Sequence, residues 1–186
     1  QAGKIEKGDW TVLIDDEAAA AVEECVGYNN LETDVRITRY RKVISKDGAQ
    51  YQLVFNITPF YPEGGGQIGD TGVIENSSES IAIVDTKKEN KLIVHFAEEL
   101  PNNVKSSFKA KVNAVDRKAS ARNHTGTHLL HESLRSILGN HVMQKGSLVN
   151  PKHLRFDFTH FSKIEKNDLQ KIEQDVNAKI LANIAL

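Results

Sequence analysis

Hydrophobic and polar residues alternate along much of the first two thirds of the chain. The clearest alternation involves four large apolar residues, Tyr51, Leu53, Phe55 and Ile57. This two-residue period is typical of a half-buried β-strand. The preceding turn signal Lys46-Asp47-Gly48 predicts a hairpin that pairs this strand with Val35–Ile44. A change of phase near Arg39-Tyr40 predicts a β-bulge in the first strand of the hairpin.

Shorter strands are predicted at even spacing around this hairpin. They are Trp10–Ile14, Gly72–Ile74, Ile81–Asp85, Leu92–Phe96 and Phe108–Val112. Many antiparallel strands joined by short turns favour a small β-barrel. We therefore predict a barrel-like domain over residues 1–113, with a short helix at Asp16–Glu24, where four alanines follow one another.

The hydrophobic period changes to that of a helix after residue 113. An apolar stripe at helical spacing contains Ala119, Leu130, Leu134, Ile137 and Leu138. Asp116 is a suitable N-cap and Gly139-Asn140 a suitable C-terminal signal, so one helix is predicted between them.

Two strands and a second helix are predicted after the first helix. The strands are Val142–Val149 and Leu154–Phe158, and the capping box Ser162-Lys163-Ile164-Glu165 predicts a helix from Ser162 toward Leu186. Helix, two strands and helix form an α+β unit over residues 114–186, so the predicted fold class is α+β. The uncapped end at Leu186 and the start at Gln1 predict a piece of a larger protein.

Composition narrows the class of protein only moderately. The chain has 186 residues, of which 39% are hydrophobic and 26% charged, as in soluble globular proteins. Its 24 Lys and Arg balance 25 Asp and Glu, so a nucleic-acid surface must be local. The single cysteine, Cys25, excludes an intramolecular disulfide. With no apolar run of membrane-spanning length, we expect a cytoplasmic protein without a membrane partner.

Three histidines cluster on the first predicted helix. At about 100° per residue, His124, His128 and His131 fall within roughly 60° on one side of a helix. Two imidazoles one turn apart can bind one Zn²⁺, but such a site needs at least one more protein ligand. Thr125 and Gly126 stand inside the pair, so the glutamate of His-Glu-x-x-His metalloproteases is missing. The alternative is an ordinary solvated face.

A glycine-rich loop is the second candidate site. Gly64, Gly65 and Gly66 cost backbone entropy, which indicates left-handed turns or close backbone approach to a ligand. Exposed amides in such a loop can hold an anion or an oxyanion. Gln67 and Asp70 beside them are placed to orient a water or a substrate amine. The alternative is a structural crossover between strands.

Four motifs carry a resemblance to a known family. They are Phe60-Tyr61-Pro62-Glu63-Gly64-Gly65-Gly66-Gln67-Ile68-Gly69-Asp70-Thr71-Gly72, Arg122-Asn123-His124-Thr125-Gly126-Thr127-His128-Leu129-Leu130-His131, Gln144-Lys145-Gly146-Ser147, and Leu154-Arg155-Phe156-Asp157-Phe158. In order and spacing they resemble the editing region of alanyl-tRNA synthetase over nearly the whole chain. Free-standing alanyl-tRNA editing proteins are similar more loosely.

This resemblance implies hydrolysis of seryl- or glycyl-tRNA(Ala), with Zn²⁺ held by His-x3-His and a later Cys-x3-His. His124 and His128 match the first pair, and the second pair is expected beyond Leu186. The chain alone is therefore expected to bind metal weakly and to have little or no activity. Expected partners are the acceptor end of tRNA(Ala) and other domains of a parent ligase, whose aminoacylation domain would use ATP and Mg²⁺.

The same resemblance and the residue types suggest roles within the site. We assign catalytic roles to Gln67, Gln144 and Asp70, although Asp70 also suits a turn-forming hydrogen bond. Substrate contacts are assigned to Gly64, Gly65, Gly66, Thr71, Thr125, Thr127 and Arg122, with one threonine sensing the seryl hydroxyl. Two alternatives remain: a non-catalytic tRNA-binding module with buried histidines, and a structural metal-binding module.

Overall fold

The computed structural model describes residues 6–13, 24–27, 30–45 and 48–183. The predicted α+β class is confirmed, since a mostly antiparallel sheet is followed by two helices. The strands are β1 (Glu6–Lys7), β2 (Thr11–Val12), β3 (Glu24–Cys25), β4 (Glu32–Ser45), β5 (Gly48–Phe55), β6 (Ile57–Thr58), β7 (Gly72–Glu75), β8 (Ser80–Ile83), β9 (Asp85–Glu89), β10 (Leu92–Ala97), β11 (Ser107–Val112), β12 (Gln144–Val149) and β13 (Leu154–Phe158). The helices are α1 (Ala114–Leu138) and α2 (Lys166–Ala182).

The chain forms two compact units. Unit 1 contains residues 1–64 and 68–115, and unit 2 contains residues 65–67 and 116–186. The tip of the glycine loop thus groups with the helical part of the chain. The assignment of independent domains to residues 1–113 and 114–186 stays a prediction.

Unit 1 is built on one antiparallel sheet with the strand order β8-β7-β11-β4-β5-β10-β9. The predicted hairpin is confirmed, with Ser45 opposite Gly48 and a φ of 121° at Gly48. The register shifts between Ile37 and Arg39, as a bulge there requires, slightly before the predicted position.

The predicted barrel closure is not confirmed. The strand path ends at β8 on one side and β9 on the other, and no ladder joins these two strands within the described ranges. Val84, which lies between β8 and β9 in sequence, donates its backbone N–H to the Phe96 carbonyl oxygen of β10 at 2.9 Å. Strand β9 was not predicted, because only Thr86 in it is buried and its other positions are charged or polar.

The core of unit 1 encloses a histidine. His95 is fully buried, with Nε2 2.8 Å from the Thr58 hydroxyl and Nδ1 3.2 Å from the Leu53 carbonyl oxygen. Its ring stacks on Phe55 at 4.1 Å. Burial lowers the pKa of His95 from 6.5 to about 3, although the bond to Leu53 acts in the opposite direction. This imidazole is therefore neutral in the folded protein.

We expect unit 1 to lose stability as the pH falls below about 6.5. The unfolded chain then protonates His95 while the folded chain does not, so the loss grows until about pH 3. The expected slope approaches about 1.4 kcal/mol per pH unit. Urea unfolding of the wild type and of His95→Gln between pH 7.5 and 4.5 measures it, and equal slopes in both proteins would contradict the prediction.

Unit 2 packs its two helices with the β12–β13 hairpin. Leu134, Val142 and Ile172 form its buried centre. The predicted apolar stripe of α1 packs against this centre through Leu130, Ile137 and Leu138. The predicted second strand is confirmed at Leu154–Phe158, whereas the first begins at Gln144 rather than at Val142.

The predicted helix ends require three corrections. Helix α1 begins at Ala114, so Asp116 lies inside its first turn and is not its N-cap. Helix α2 begins at Lys166, because Glu165 is extended and makes no side-chain cap bond, so the start predicted at Ser162 is wrong. It ends at Ala182, with Asn183 in the left-handed conformation at φ 45°.

Residues 16–23 of the helix predicted at Asp16–Glu24 lie outside the described residues, while Glu24 belongs to β3, which runs parallel to β6. Neither described helix combines the length and the apolar character that crossing a membrane requires.

Candidate active site

Two imidazoles lie stacked on α1. The rings of His124 and His128 have centroids 5.2 Å apart and an interplanar angle of 9°. Residues four apart lie one turn above another on a helix, which places both rings on the same side. His124 is half-buried and His128 is exposed.

Gln67 fixes the orientation of the His124 ring. Its Oε1 atom lies 2.9 Å from Nδ1 of His124, although the two residues are 57 positions apart in sequence. A carbonyl oxygen only accepts hydrogen bonds, so Nδ1 carries the proton that is donated. In the neutral ring this leaves the lone pair on Nε2, which is the tautomer that binds metals or accepts a proton. Gln67 itself is buried, with 5% of its surface exposed.

The electrostatic surroundings favour the neutral form of this ring. Burial lowers the pKa of His124, and charge repulsion from the neighbouring His128 lowers it further. Both causes disfavour an imidazolium at this position. A neutral His124 is the form needed either for a metal ligand or for a proton acceptor.

The glycine turn approaches the edge of β12. Gly65 and Gly66 have φ values of 59° and 82°, which is the left-handed region. The Val149 N–H donates to the Gly66 carbonyl oxygen at 2.7 Å, and Gln67 forms a parallel bridge with Val149. A Cβ on Gly66 would lie 2.1 Å from the Ser147 hydroxyl oxygen, so only glycine fits this approach.

Gln144 reaches the same turn through Ser147. Its Nε2 atom donates to the Ser147 hydroxyl at 3.3 Å, and its side chain is exposed. The strand register shifts between Gln144 and Gly146, as a bulge there requires. Within unit 2, the structure therefore connects Gly66, Gln67, His124 and Gln144 through short contacts.

The remaining predicted site residues of α1 differ in exposure. Arg122 and Thr125 are exposed, whereas Thr127 has 5% of its surface exposed. The Thr127 hydroxyl donates to the Asn123 carbonyl oxygen at 2.9 Å, so its oxygen remains an acceptor only.

Three predicted site residues belong to unit 1. The Gly64 carbonyl oxygen accepts a bond from the Tyr61 hydroxyl at 3.1 Å. The Asp70 carboxylate accepts a bond from the Tyr61 backbone N–H at 2.9 Å, and the Asp70 N–H donates to the Tyr61 carbonyl oxygen at 2.9 Å, so the two residues close the loop between them. The Thr71 carbonyl oxygen accepts a bond from the Asn113 N–H at 2.8 Å.

The donor set near α1 fits part of a zinc site. Imidazoles are suitable zinc ligands, and Gln67 accepts from Nδ1 of His124 through a carbonyl oxygen, as the second partner of a metal-bound histidine does. Within residues 6–13, 24–27, 30–45 and 48–183, however, no three metal-ligating side chains come together. The described residues bring together two candidate ligands and not the further ones that Zn²⁺ requires.

The sequence patterns assign no role to two polar residues that support the glycine turn and α1. Ser147 lies against Gly66, and the Asn123 side chain donates to the Asn150 carbonyl oxygen at 2.7 Å, linking α1 to the turn after β12. Ser147 occurs in one of the motifs quoted above, but its contact with Gly66 joins distant parts of the chain. No local pattern predicts such a contact.

The fold and the site together describe an α+β protein with a histidine pair supported by a buried amide. The sequence model of the class II (A) tRNA synthetases matches residues 2–118, more than half of the chain. The chain therefore belongs to the class II (A) tRNA synthetase family. The matched stretch ends before His124, so the histidine pair lies outside it.

Similar individual proteins cover the whole chain. Alanine–tRNA ligase of Flavobacterium psychrophilum is 52% identical over an alignment of 195 residues, gaps included. The alignment covers all of this chain and 22% of that protein. Alanine–tRNA ligase of Christiangramia forsetii is 52% identical over 190 residues, and that of Bacteroides fragilis is 49% identical over 185 residues. Each match covers all of this chain and 21% of the relative. The chain thus spans about a fifth of the length of these curated relatives.

Proposed function

We propose that the chain is the editing region of an alanyl-tRNA synthetase and that its site hydrolyses the ester of mischarged seryl- or glycyl-tRNA(Ala). The supporting observation is the contact between Gln67 of the glycine turn and His124 of the stacked histidine pair. The relatives named alanine–tRNA ligase, which match the whole chain, support the same assignment. ATP and Mg²⁺ would serve the aminoacylation part of the longer protein.

His124 and His128 would hold Zn²⁺, together with two ligands from a Cys-x3-His elsewhere in the longer protein. When bound, Zn²⁺ acts as a Lewis acid that polarises a carbonyl or a water. Gln67 keeps the proton on Nδ1 of His124 and so leaves Nε2 free for this role. Gln67 therefore positions the imidazole.

The glycine turn and Gln144 would orient the aminoacyl ester. Gln144 uses one amide hydrogen on Ser147 and keeps a second donor and its carbonyl oxygen for substrate or water. The amides of Gly64, Gly65 and Gly66 would donate to the oxyanion that develops on the ester. Asp70 would act through the loop that it closes with Tyr61.

Specificity requires a group that pairs with the seryl hydroxyl. A site built around that bond rejects alanine, because the polar group of the site would remain unpaired when alanine is bound. The candidates are Thr71, Thr125 and Thr127, and the last can only accept a bond because its own hydrogen is donated to Asn123. Arg122, exposed on the same helix, would contact the phosphates at the acceptor end of tRNA(Ala).

The proposal predicts activity only when the ligand set is complete. Zn²⁺ content and seryl-tRNA(Ala) hydrolysis should be measured on this chain and on a longer form of the protein that contains the Cys-x3-His. We expect weak Zn²⁺ binding and little hydrolysis by the chain, and tight binding with hydrolysis by the longer form. Zn²⁺ without hydrolysis in the longer form would favour a structural metal site. If the longer form binds tRNA but neither binds Zn²⁺ nor hydrolyses the ester, a non-catalytic module is favoured.

A further inference from the structure

Unit 2 exposes a second group of stacked rings, which the proposed hydrolysis does not use. Phe161 lies in the loop between β13 and α2, with its ring centroid 4.6 Å from that of His141 and an interplanar angle of 26°. The ring of His160 lies edge to edge with that of His141, with centroids 5.1 Å apart and an interplanar angle of 22°. We call His141, His160 and Phe161 the ring stack.

Hydrogen bonds hold the ring stack in place. Nε2 of His141 and Nδ1 of His160 lie 2.8 Å apart, so one ring donates and the other accepts. The Thr159 hydroxyl donates to the His141 carbonyl oxygen at 2.8 Å and accepts from the Met143 N–H at 3.0 Å. The His141 and His160 rings are therefore positioned before any partner binds, which reduces the entropy cost of binding a base that stacks on Phe161 above them.

Phe161, and Met143 two residues after His141, are large apolar residues with highly exposed side chains. Phe161 has 86% and Met143 has 60% of its surface exposed. Phe156 and Phe158, on the neighbouring strand, pack against the core instead. Covering an exposed phenylalanine ring is favourable, and this ring already rests on a positioned imidazole, so Phe161 offers a contact for a partner with a flat apolar face.

The charge of unit 2 suggests the class of partner. Residues 65–67 and 116–186 contain 11 Lys and Arg against 7 Asp and Glu, a net charge of +4, and six of the seven histidines. Unit 1 contains the other 13 Lys and Arg and 18 Asp and Glu, a net charge of −5. Aromatic rings on a positively charged unit are the combination that binds single-stranded nucleic acid. Exposed Lys145 and Lys163 each lie two residues from Met143 or Phe161 in sequence.

We propose that the ring stack is a binding site for an unpaired base of single-stranded RNA, which stacks on Phe161. Phe161 supplies the outer ring, His141 lies behind it, and His160 holds His141 through the hydrogen bond between their rings. The inference rests on the proposed function only in taking RNA as the partner. It adds a second contact that would hold the RNA strand without taking part in hydrolysis.

The test is equilibrium binding of an unstructured RNA hexamer that carries one 2-aminopurine, with the full 186-residue chain. We expect Phe161→Ala to weaken binding about 5- to 100-fold and to abolish the fluorescence quenching that base stacking causes. Phe161→Tyr keeps a ring and should bind within about 2-fold of the wild type. Leu181→Ala is the matched control, since Leu181 is also exposed, at 84%, on a different part of unit 2.

Phe161→Leu separates stacking from general apolar contact. Wild-type affinity in this variant would overturn the proposal and favour a protein segment as the partner of this surface. Absence of quenching in the wild type, or equal losses in Phe161→Ala and Leu181→Ala, would also overturn it. Binding is measured on this chain without hydrolysis, so RNA binding here combined with no deacylation by the longer form that carries the Cys-x3-His refutes the proposed function and leaves the ring stack assignment intact.

Discussion

Replacing His124 or His128 by alanine is expected to lower seryl-tRNA(Ala) hydrolysis by more than about 100-fold in a longer form of the protein that carries the complete ligand set. Changes to residues that only support a metal ligand already cost about 10- to 100-fold. His124 makes the contact with Gln67, and His128 stacks directly on it. Alanine attachment to tRNA(Ala) should be unchanged, because the proposed roles of both residues are confined to editing. Steady-state deacylation and aminoacylation rates provide the measurement.

The matched control for this prediction is His153→Ala. His153 is another histidine of unit 2, exposed and in contact with the Asn150 side chain, and it has no proposed role in the reaction. This variant should keep full hydrolysis. Deacylation at the wild-type rate by His124→Ala or His128→Ala would disprove the assignment of these imidazoles as zinc ligands.

Alanine at the three consecutive glycines is expected to destabilise the protein increasingly from Gly64 to Gly66. Gly64→Ala meets only ordinary contacts, the nearest at 3.6 Å, and should change stability by less than about 0.5 kcal/mol. Gly65→Ala places a side chain at φ 59° and should cost about 1–2 kcal/mol. Gly66→Ala adds a clash with Ser147 at 2.1 Å and should cost about 2–5 kcal/mol in total.

Hydrogen exchange of amides in β5 and in α1 reports the free energies of opening of unit 1 and of unit 2, and a second substitution isolates the clash. Ser147→Ala removes the hydroxyl oxygen that the new Cβ would meet and should recover part of the loss in Gly66→Ala. The cost of the left-handed conformation at φ 82° should remain in this double variant. If Gly66→Ala were no more destabilising than Gly64→Ala, the close approach of the glycine turn to β12 would be incorrect.

Local patterns predicted the elements whose formation depends on neighbouring residues. The β4–β5 hairpin follows from strict alternation and a glycine turn, and both signals are contained within a few residues. Helix α1 follows from its 3.6-residue period, and the apolar residues of that period are those that pack in the core of unit 2. The spacing of His124 and His128 likewise placed both rings on one side of the helix.

Other features depend on packing that no local pattern contains. The capping signal predicts that α2 starts at Ser162, but the helix starts at Lys166. In the segment between them and just before it, Phe161 stacks on His141 and Ile164 packs against the core of unit 2, so these tertiary contacts outweigh the local capping signal. Burial of His95 could not be predicted, because it depends on partners up to 42 residues away. Strand β9 lacks an apolar alternation since a single one of its residues is buried.

The sequence by itself determined the α+β class, the hairpin, the histidine helix and the family, because each depends on short-range periodicity or on motifs that are contiguous in the chain. The tertiary structure alone decided that Gln67 meets His124, that Gly65–Gln67 group with unit 2, and that Phe161 faces outward. The physical reason is the separation in sequence between the residues in contact. Such contacts join residues tens of positions apart, and only the folded backbone brings their side chains within hydrogen-bonding or stacking distance.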